Sequence, residues 1–341
     1  MIRCDPPGSR NEIQENDRGG RCVKNHPNDA SVTFLSLKRR IAETWPGSDG
    51  GVNGSNTTKI KMKTQILLLA AGLVIAAQTL AAGITVKGSD TMVVLGQKWA
   101  ETYMGAHSET KIQVTGGGSG TGFAALQNQT ADLANASRKI KAAEIEACVK
   151  VFNGKRPIEY KVALDGLSVY VHTDNPLKSL TLEQLEGIFT GKTKNWKEVG
   201  GPDAAINVFS RENSSGTYEF FKEHVLKGKD FVSSAQTLQG TAQVLQAVAQ
   251  NKSGIGYGGA GYGQGAKHLA ISQSGGDPVE PTEENVASGK YPIWRYLYIY
   301  VNPALDKDEV HAYHEWIRSD EGQIVVKKEA YFPLPAALRA K

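Results

Sequence analysis

Two short turns in this chain combine glycine, hydroxyl side chains and the start of a helix-like run. They are Gly116-Gly117-Gly118-Ser119-Gly120-Thr121-Gly122 and Arg211-Glu212-Asn213-Ser214-Ser215-Gly216-Thr217. Glycine lets a backbone approach a ligand closely, and a helix N-terminus adds unpaired N–H groups and the positive end of its dipole. Two further turns have the same character, Gly88-Ser89-Asp90-Thr91 and Ser137-Arg138. Ser89, Thr91, Ser119, Ser215 and Thr217 offer hydroxyl donors, and Arg138 and Arg211 offer permanently charged planar forks suited to a tetrahedral oxyanion. Each turn taken singly reads as an ordinary N-cap. Four of them, two carrying arginine, point to a small oxyanion held between two halves of a protein.

Other chemistries fail on spacing. Gly116 to Gly122 does not place its glycines as G-x-G-x-x-G, and no P-loop lysine follows. Neither Ser119 nor Ser215 sits in G-x-S-x-G, and no nucleophile–base pair is legible. His311 and His314 share a helix face, but no nearby ligand set completes a metal site, so they read as solvent-facing or packing residues. The sequence thus calls for no metal, no cofactor and no catalytic residue.

The elements that must position these turns alternate. Strand signals at 83–86, 111–114 and 131–137 are each followed by a helical run, and this repetition predicts an α/β sheet with its turns at the carboxyl edge. Two longer β-rich segments, 159–172 and 291–302, break the pattern. Between them lie helices near 182–189 and 217–226 with a strand at 206–209, and a closing helix follows at 308–319. This order predicts two lobes joined by two crossing hinge strands: 83–165 with 295–341, and 166–294.

The first 82 residues are read as outside the fold. Lys59-Ile60-Lys61-Met62-Lys63, the apolar run from Ile66 to Ala77 and the small residues to Ala82 form a secretory signal peptide at 62–82, too short for a membrane span. Residues 1–61 are read as a dispensable or mis-called extension, with Met62 the natural start. Cleavage after Ala81 or Ala82 leaves no cysteine to accept a lipid, so the protein is expected to be periplasmic, soluble and not a lipoprotein. Of 39 Lys/Arg and 35 Asp/Glu, residues 1–82 hold 11 and 7, leaving 28 of each from Gly83 onward. That balance argues against nucleic-acid and membrane-surface partners. Cys148 then stands alone and reads as a packing residue.

These turns, in this order, resemble those of the PstS family, the phosphate-binding proteins of high-affinity phosphate ABC transporters. The resemblance covers essentially the whole chain from Gly83. It is carried by Gly88-Ser89-Asp90-Thr91, the turn at Ser119, the run from Leu180 to Lys192 with Asn195-Trp196, Arg211 with Ser215-Gly216-Thr217, Gly254-Ile255-Gly256-Tyr257, Glu321-Gly322-Gln323 and Tyr331-Phe332-Pro333-Leu334. It implies a class II periplasmic binding-protein fold whose lobes close on inorganic phosphate, a monomer that delivers it to an inner-membrane permease. It assigns ligand contacts to Asp90, Thr91, Ser119, Arg211, Ser215, Gly216 and Thr217. The usual pattern places a proton-accepting aspartate after Ala136-Ser137; this chain has Arg138 there. A second arginine strengthens dianion binding, while Asp90 is left to supply the acceptor. The alternatives are a binder of sulfate, molybdate or tungstate, a secreted phosphate-ester hydrolase, and a phosphate module that never meets a permease.

Overall fold

Short buried strands and one-sided helices alternate from Gly83 onward, and the strands set the architecture. In chain order they are β1 (Ile84–Gly88), β2 (Ile112–Thr115), β3 (Leu133–Ala136), β4 (Ile158–Gly166), β5 (Ser168–Val171) and β6 (Ser179–Thr181). Then come β7 (Asn207–Arg211), β8 (Gln236–Leu238), β9 (Gly254–Gly258), β10 (Lys267–Ser272) and β11 (Trp294–Val301). The helices are α1 (Val93–Ala106), α2 (Ser119–Gln127), α3 (Ala142–Val151), α4 (Leu182–Phe189) and α5 (Gly216–His224). They continue with α6 (Thr241–Gln250), α7 (Glu283–Ala287), α8 (Asp308–Arg318), α9 (Asp320–Lys328) and α10 (Ala336–Arg339). This computed structural model describes residues 83–339 apart from 264, 274 and 307, all within the compact unit Ala76–Lys341. The extension and signal peptide read at 1–82 lie outside the described residues.

Two sheets result, ordered β2-β1-β3-β11-β4 and β6-β10-β5-β9-β7-β8. In the first, β1 pairs parallel with β2 and β3, so their following turns gather at one edge. Both sheets are mixed. The exceptions to parallel pairing involve the strands nearest the crossings: β11 runs antiparallel to β3 and β4, and β5 antiparallel to β9 and β10. The chain passes between sheets at Gly166–Ser168 and returns at Tyr291–Trp294. These passages run side by side, with Leu167 N–H donating to the Ile293 carbonyl at 2.9 Å and Tyr291 OH to the Leu167 carbonyl at 2.9 Å.

Each sheet is covered on both faces, as parallel pairing demands. In the first lobe, Ile84, Val86, Leu95, Trp99, Tyr313 and Val326 fill one side, and Phe123, Leu126, Cys148, Phe152 and Tyr300 the other. Cys148 is a core residue of α3, and burial pushes its thiol up to about 11. In the second lobe, Leu185, Phe189, Trp196, Phe221 and Tyr257 form the larger core, and Tyr170, Val244, Leu245 and Val248 the smaller. Local signals agree with the packing: Thr181 and Gln184 form a capping box on α4, and the Ser215 hydroxyl accepts from Tyr218 N–H to cap α5.

Candidate functional site

The four turns follow the carboxyl ends of β1, β2, β3 and β7 and meet between the two lobes. Gly88 makes the first turn feasible: at φ +140° it passes so close to β3 that a Cβ there would fall 2.1 Å from the Asn135 carbonyl. The next residues form a single 3-10 turn, Asp90–Met92, and bury Thr91 completely. Two tyrosines fix this turn by its carbonyls. Tyr262 OH donates to Asp90 O at 2.7 Å and Tyr331 OH to Thr91 O at 2.6 Å. Burial raises both phenols, Tyr262 to about 12, so both remain donors.

The second turn also depends on glycine. Gly117 and Gly118 hold φ values of +113° and +92°, and a Cβ on Gly118 would fall 2.5 Å from the Ser214 carbonyl of the other lobe. Gly117 N–H donates to Asp90 Oδ1 at 2.8 Å, and Gly120 N–H crosses to Ser214 O at 2.9 Å. The turn thereby presents Ser119 at the first position of α2, fully buried.

Five hydroxyls converge there. Ser89 Oγ donates to Ser137 Oγ at 3.0 Å, Ser119 Oγ lies 3.4 Å from Ser137 Oγ, and Ser137 N–H donates to Ser119 Oγ at 3.1 Å. From the second lobe, Thr217 Oγ1 lies 2.7 Å from Thr91 Oγ1 and 3.5 Å from Ser137 Oγ. Gly216 seals the cluster, since a Cβ there would stand 2.3 Å from Ser119 Oγ and 2.8 Å from Ser137 Oγ.

Three guanidinium groups surround the hydroxyls, each already matched with carboxylate. Arg211 Nη2 donates to Asp90 Oδ2 at 2.7 Å and to Glu212 Oε1 at 2.9 Å, while Nη1 reaches Thr241 Oγ1 at 3.0 Å. Arg138 forms a fork with Glu144, Nη1 to Oε2 at 2.8 Å and Nη2 to Oε1 at 2.7 Å, and its guanidinium lies over the Phe123 ring. Arg295 on β11 faces its register partner Asp165 on β4, with Nε and Nη2 donating to Oδ2 at 2.9 and 2.7 Å. Its Nη1 donates to Ser137 O and its Nη2 to Thr217 Oγ1, both at 3.0 Å. Three guanidiniums against four carboxylates leave no local excess of positive charge. What the cluster offers is oriented N–H and O–H dipoles and not net positive charge. Arg211 Nε and Arg138 Nε are buried without a protein partner.

Of the residues singled out in the sequence, Thr91, Ser119, Gly216 and Thr217 stand in the hydroxyl cluster, and Asp90 and Arg211 form a bridge beside it. Ser215 caps α5 through its side chain, and Arg138 points its fork into its own lobe. Ser137 and Glu212, which lie in the quoted turns without having been named as contacts, complete the arrangement together with Arg295, Asp165 and Thr241, which the sequence did not single out. Strand alternation at 294–301 carried the one available signal, a charged Arg295 placed among residues destined for a core, where an arginine needs a buried partner.

The chain is similar to several known proteins. Residues 74–321 match the PBP superfamily domain. The phosphate-binding protein PstS of Pseudomonas aeruginosa is 36% identical over 271 residues, covering 74% of this chain and 84% of that protein. Among solved structures, a Clostridium perfringens protein crystallised with bound phosphate is 29% identical with a TM-score of 0.68, covering 74% of this chain and all of its own. An ABC-type phosphate transport receptor from Vibrio cholerae is 28% identical with a TM-score of 0.59, at the same coverage.

Proposed function

The chain belongs to the PstS family of phosphate-binding proteins, and from that premise we propose that it captures inorganic phosphate between its lobes and delivers it to an ABC permease. One observation carries the reading: hydroxyls of both lobes meet at a single buried point, with Thr91 Oγ1 and Thr217 Oγ1 only 2.7 Å apart. Hydroxyls both donate and accept, so they serve ionised and protonated phosphate oxygens alike. Asp90, Thr91, Ser119, Arg211, Ser215, Gly216 and Thr217 are the proposed contacts, with Ser137 added and Arg138 at the rim. Arg211 Nε is the donor best suited to a first phosphate oxygen. Asp90 is the acceptor for a phosphate proton, which sulfate lacks at neutral pH.

In this reading the lobes are 83–165 with 295–341, and 166–294, and closure bends the paired passages at Gly166–Ser168 and Tyr291–Trp294. The protein acts as a periplasmic monomer and runs no reaction, a reading supported by the Pseudomonas aeruginosa relative, which is named as a phosphate-binding protein.

A thermal-shift panel tests the proposal, because only an anion that binds the folded state raises the melting temperature. Phosphate is expected to raise it, with sulfate, molybdate and tungstate at equal concentration leaving it unchanged. An equal shift from sulfate or molybdate overturns the choice of anion.

A further inference from the structure

The strand that carries Arg295 beside the anion site ends at Val301, about 20 Å further along at the rise of an extended chain. Beyond that end stands a cluster with no part in oxyanion capture. Asp306 Oδ1 lies 2.5 Å from His314 Nε2 and 3.3 Å from His311 Nδ1, and one donor atom from each residue stands within 4.8 Å of the others. His311 and His314 occupy one face of α8, as their spacing predicts. The sequence pattern shows no third ligand beside them; in the fold, the loop after β11 brings Asp306 back onto that face. The two histidines also differ: His314 is completely buried and His311 is about half exposed, at 53%.

The surroundings are those of a held ligand set. Asp306 Oδ2 accepts from Tyr160 OH at 2.8 Å, which fixes the carboxylate, and the Tyr160 ring stacks on His314 at 4.2 Å between centroids. The other nitrogen of His314, Nδ1, is buried with Glu315 Oε1 opposite it at 3.5 Å and no hydrogen bond. A His314–Asp306 pair leaves that nitrogen unused, while His311 Nδ1 converges on the same carboxylate oxygen at 3.3 Å. A cation on Nε2 makes Nδ1 the protonated nitrogen, aimed at a carboxylate, which is the usual outer support of a metal-bound histidine.

We propose that Asp306, His311 and His314 bind a divalent transition ion, with zinc the best match to two imidazoles and one carboxylate and with water at a fourth position beside exposed His311. Donor atoms around tetrahedral zinc stand about 3.3 Å apart, given bonds of roughly 2.0–2.2 Å. The His311–Asp306 separation already has this value, and the His314–Asp306 pair reaches it by opening less than about 1 Å. The ion ties the segment after β11 to α8 and so stabilises the first lobe.

The test uses the full chain, stripped with chelator and kept in phosphate-free buffer. Cobalt(II) is expected to give visible bands of oxygen and nitrogen ligation without a thiolate charge-transfer band, and zinc is expected to raise the melting temperature. His311→Ala changes an exposed side chain, so its fold is retained; it is expected to weaken zinc binding at least about tenfold and to abolish the thermal shift. Asp306→Asn is expected to do the same. Zinc affinity unchanged in His311→Ala and Asp306→Asn overturns the proposal, as does a cobalt spectrum dominated by thiolate, or the lack of any saturable binding by the parent chain.

Discussion

Arg211 and Arg138 close strands at the carboxyl edges of their sheets, both in turns that lead into helices, and a linear reading treats them alike. The structure separates them by the origin of their carboxylates. Arg211 takes Asp90 from the opposite lobe, 121 residues away, and its other close carboxylate is the adjacent Glu212. Arg138 takes Glu144, six residues on, at the start of the helix that follows its own turn. The first ion pair exists only while the lobes are together; the second is independent of their separation. An arginine at a cleft thus couples binding to closure when its partner lies across the cleft, and serves its own lobe when the partner is local.

The sharpest way to break this comparison is Arg211→Ala. The substitution leaves Asp90 without its charged partner and removes the donor proposed for phosphate. Removing one member of a buried pair costs about 3–5 kcal/mol. That corresponds to a loss of roughly two to four orders of magnitude in phosphate affinity, measurable by calorimetry. Near-native binding in this variant would put the anion somewhere else. Gly216→Ala is expected next in size. Its added methyl collides with Ser119 Oγ at 2.3 Å and Ser137 Oγ at 2.8 Å, so the hydroxyls must separate or the lobes stand apart. Overpacking of about 1–3 kcal/mol predicts a tenfold to hundredfold loss of affinity, with the melting temperature of the unliganded protein changed much less. An equal drop in both would mean that Gly216 serves the fold and not the closed cleft.

Legibility in the sequence follows the same division between local and distant partners. The turns were legible because glycine at positive φ and a hydroxyl before a helix are local requirements, as at Gly118 and Ser215. The α/β alternation of the first lobe was legible for the same reason. Strand β9 was not, since Gly254-Ile255-Gly256-Tyr257-Gly258 has the composition of a loop. Its glycines exist because α6 packs so closely that a Cβ at Gly256 or Gly258 would fall 2.6 Å from Val244 Cγ1 or Thr241 Cγ2. The Asp165–Arg295 pair spans 130 residues and depends on the β4–β11 register, which no local pattern reveals. Ser137 and Arg138 show a finer limit. Successive side chains leaving a strand turn to opposite sides, so with Ser137 among the hydroxyls Arg138 is directed toward α3. The residue type draws attention to the arginine, whereas the side chain that stands among the hydroxyls is the serine.

Arg138→Ala is therefore the smallest and most discriminating change. Both terminal nitrogens of Arg138 are held by Glu144, and Glu144 keeps a second partner, the Lys141 N–H at 2.8 Å, when the arginine is removed. Glu144 is also partly exposed, at 23%, so water hydrates the freed carboxylate. The stability loss should stay near 1 kcal/mol, the scale of a partly exposed ion pair. Phosphate affinity is expected to fall less than about tenfold, which is under 1.4 kcal/mol. Calorimetry beside Arg211→Ala decides the matter. Losses of equal size in the two variants would mean that Arg138 leaves Glu144 to hold the anion itself. A small loss for Arg138 and a large one for Arg211 would tie affinity to the arginine whose carboxylate lies on the opposite lobe.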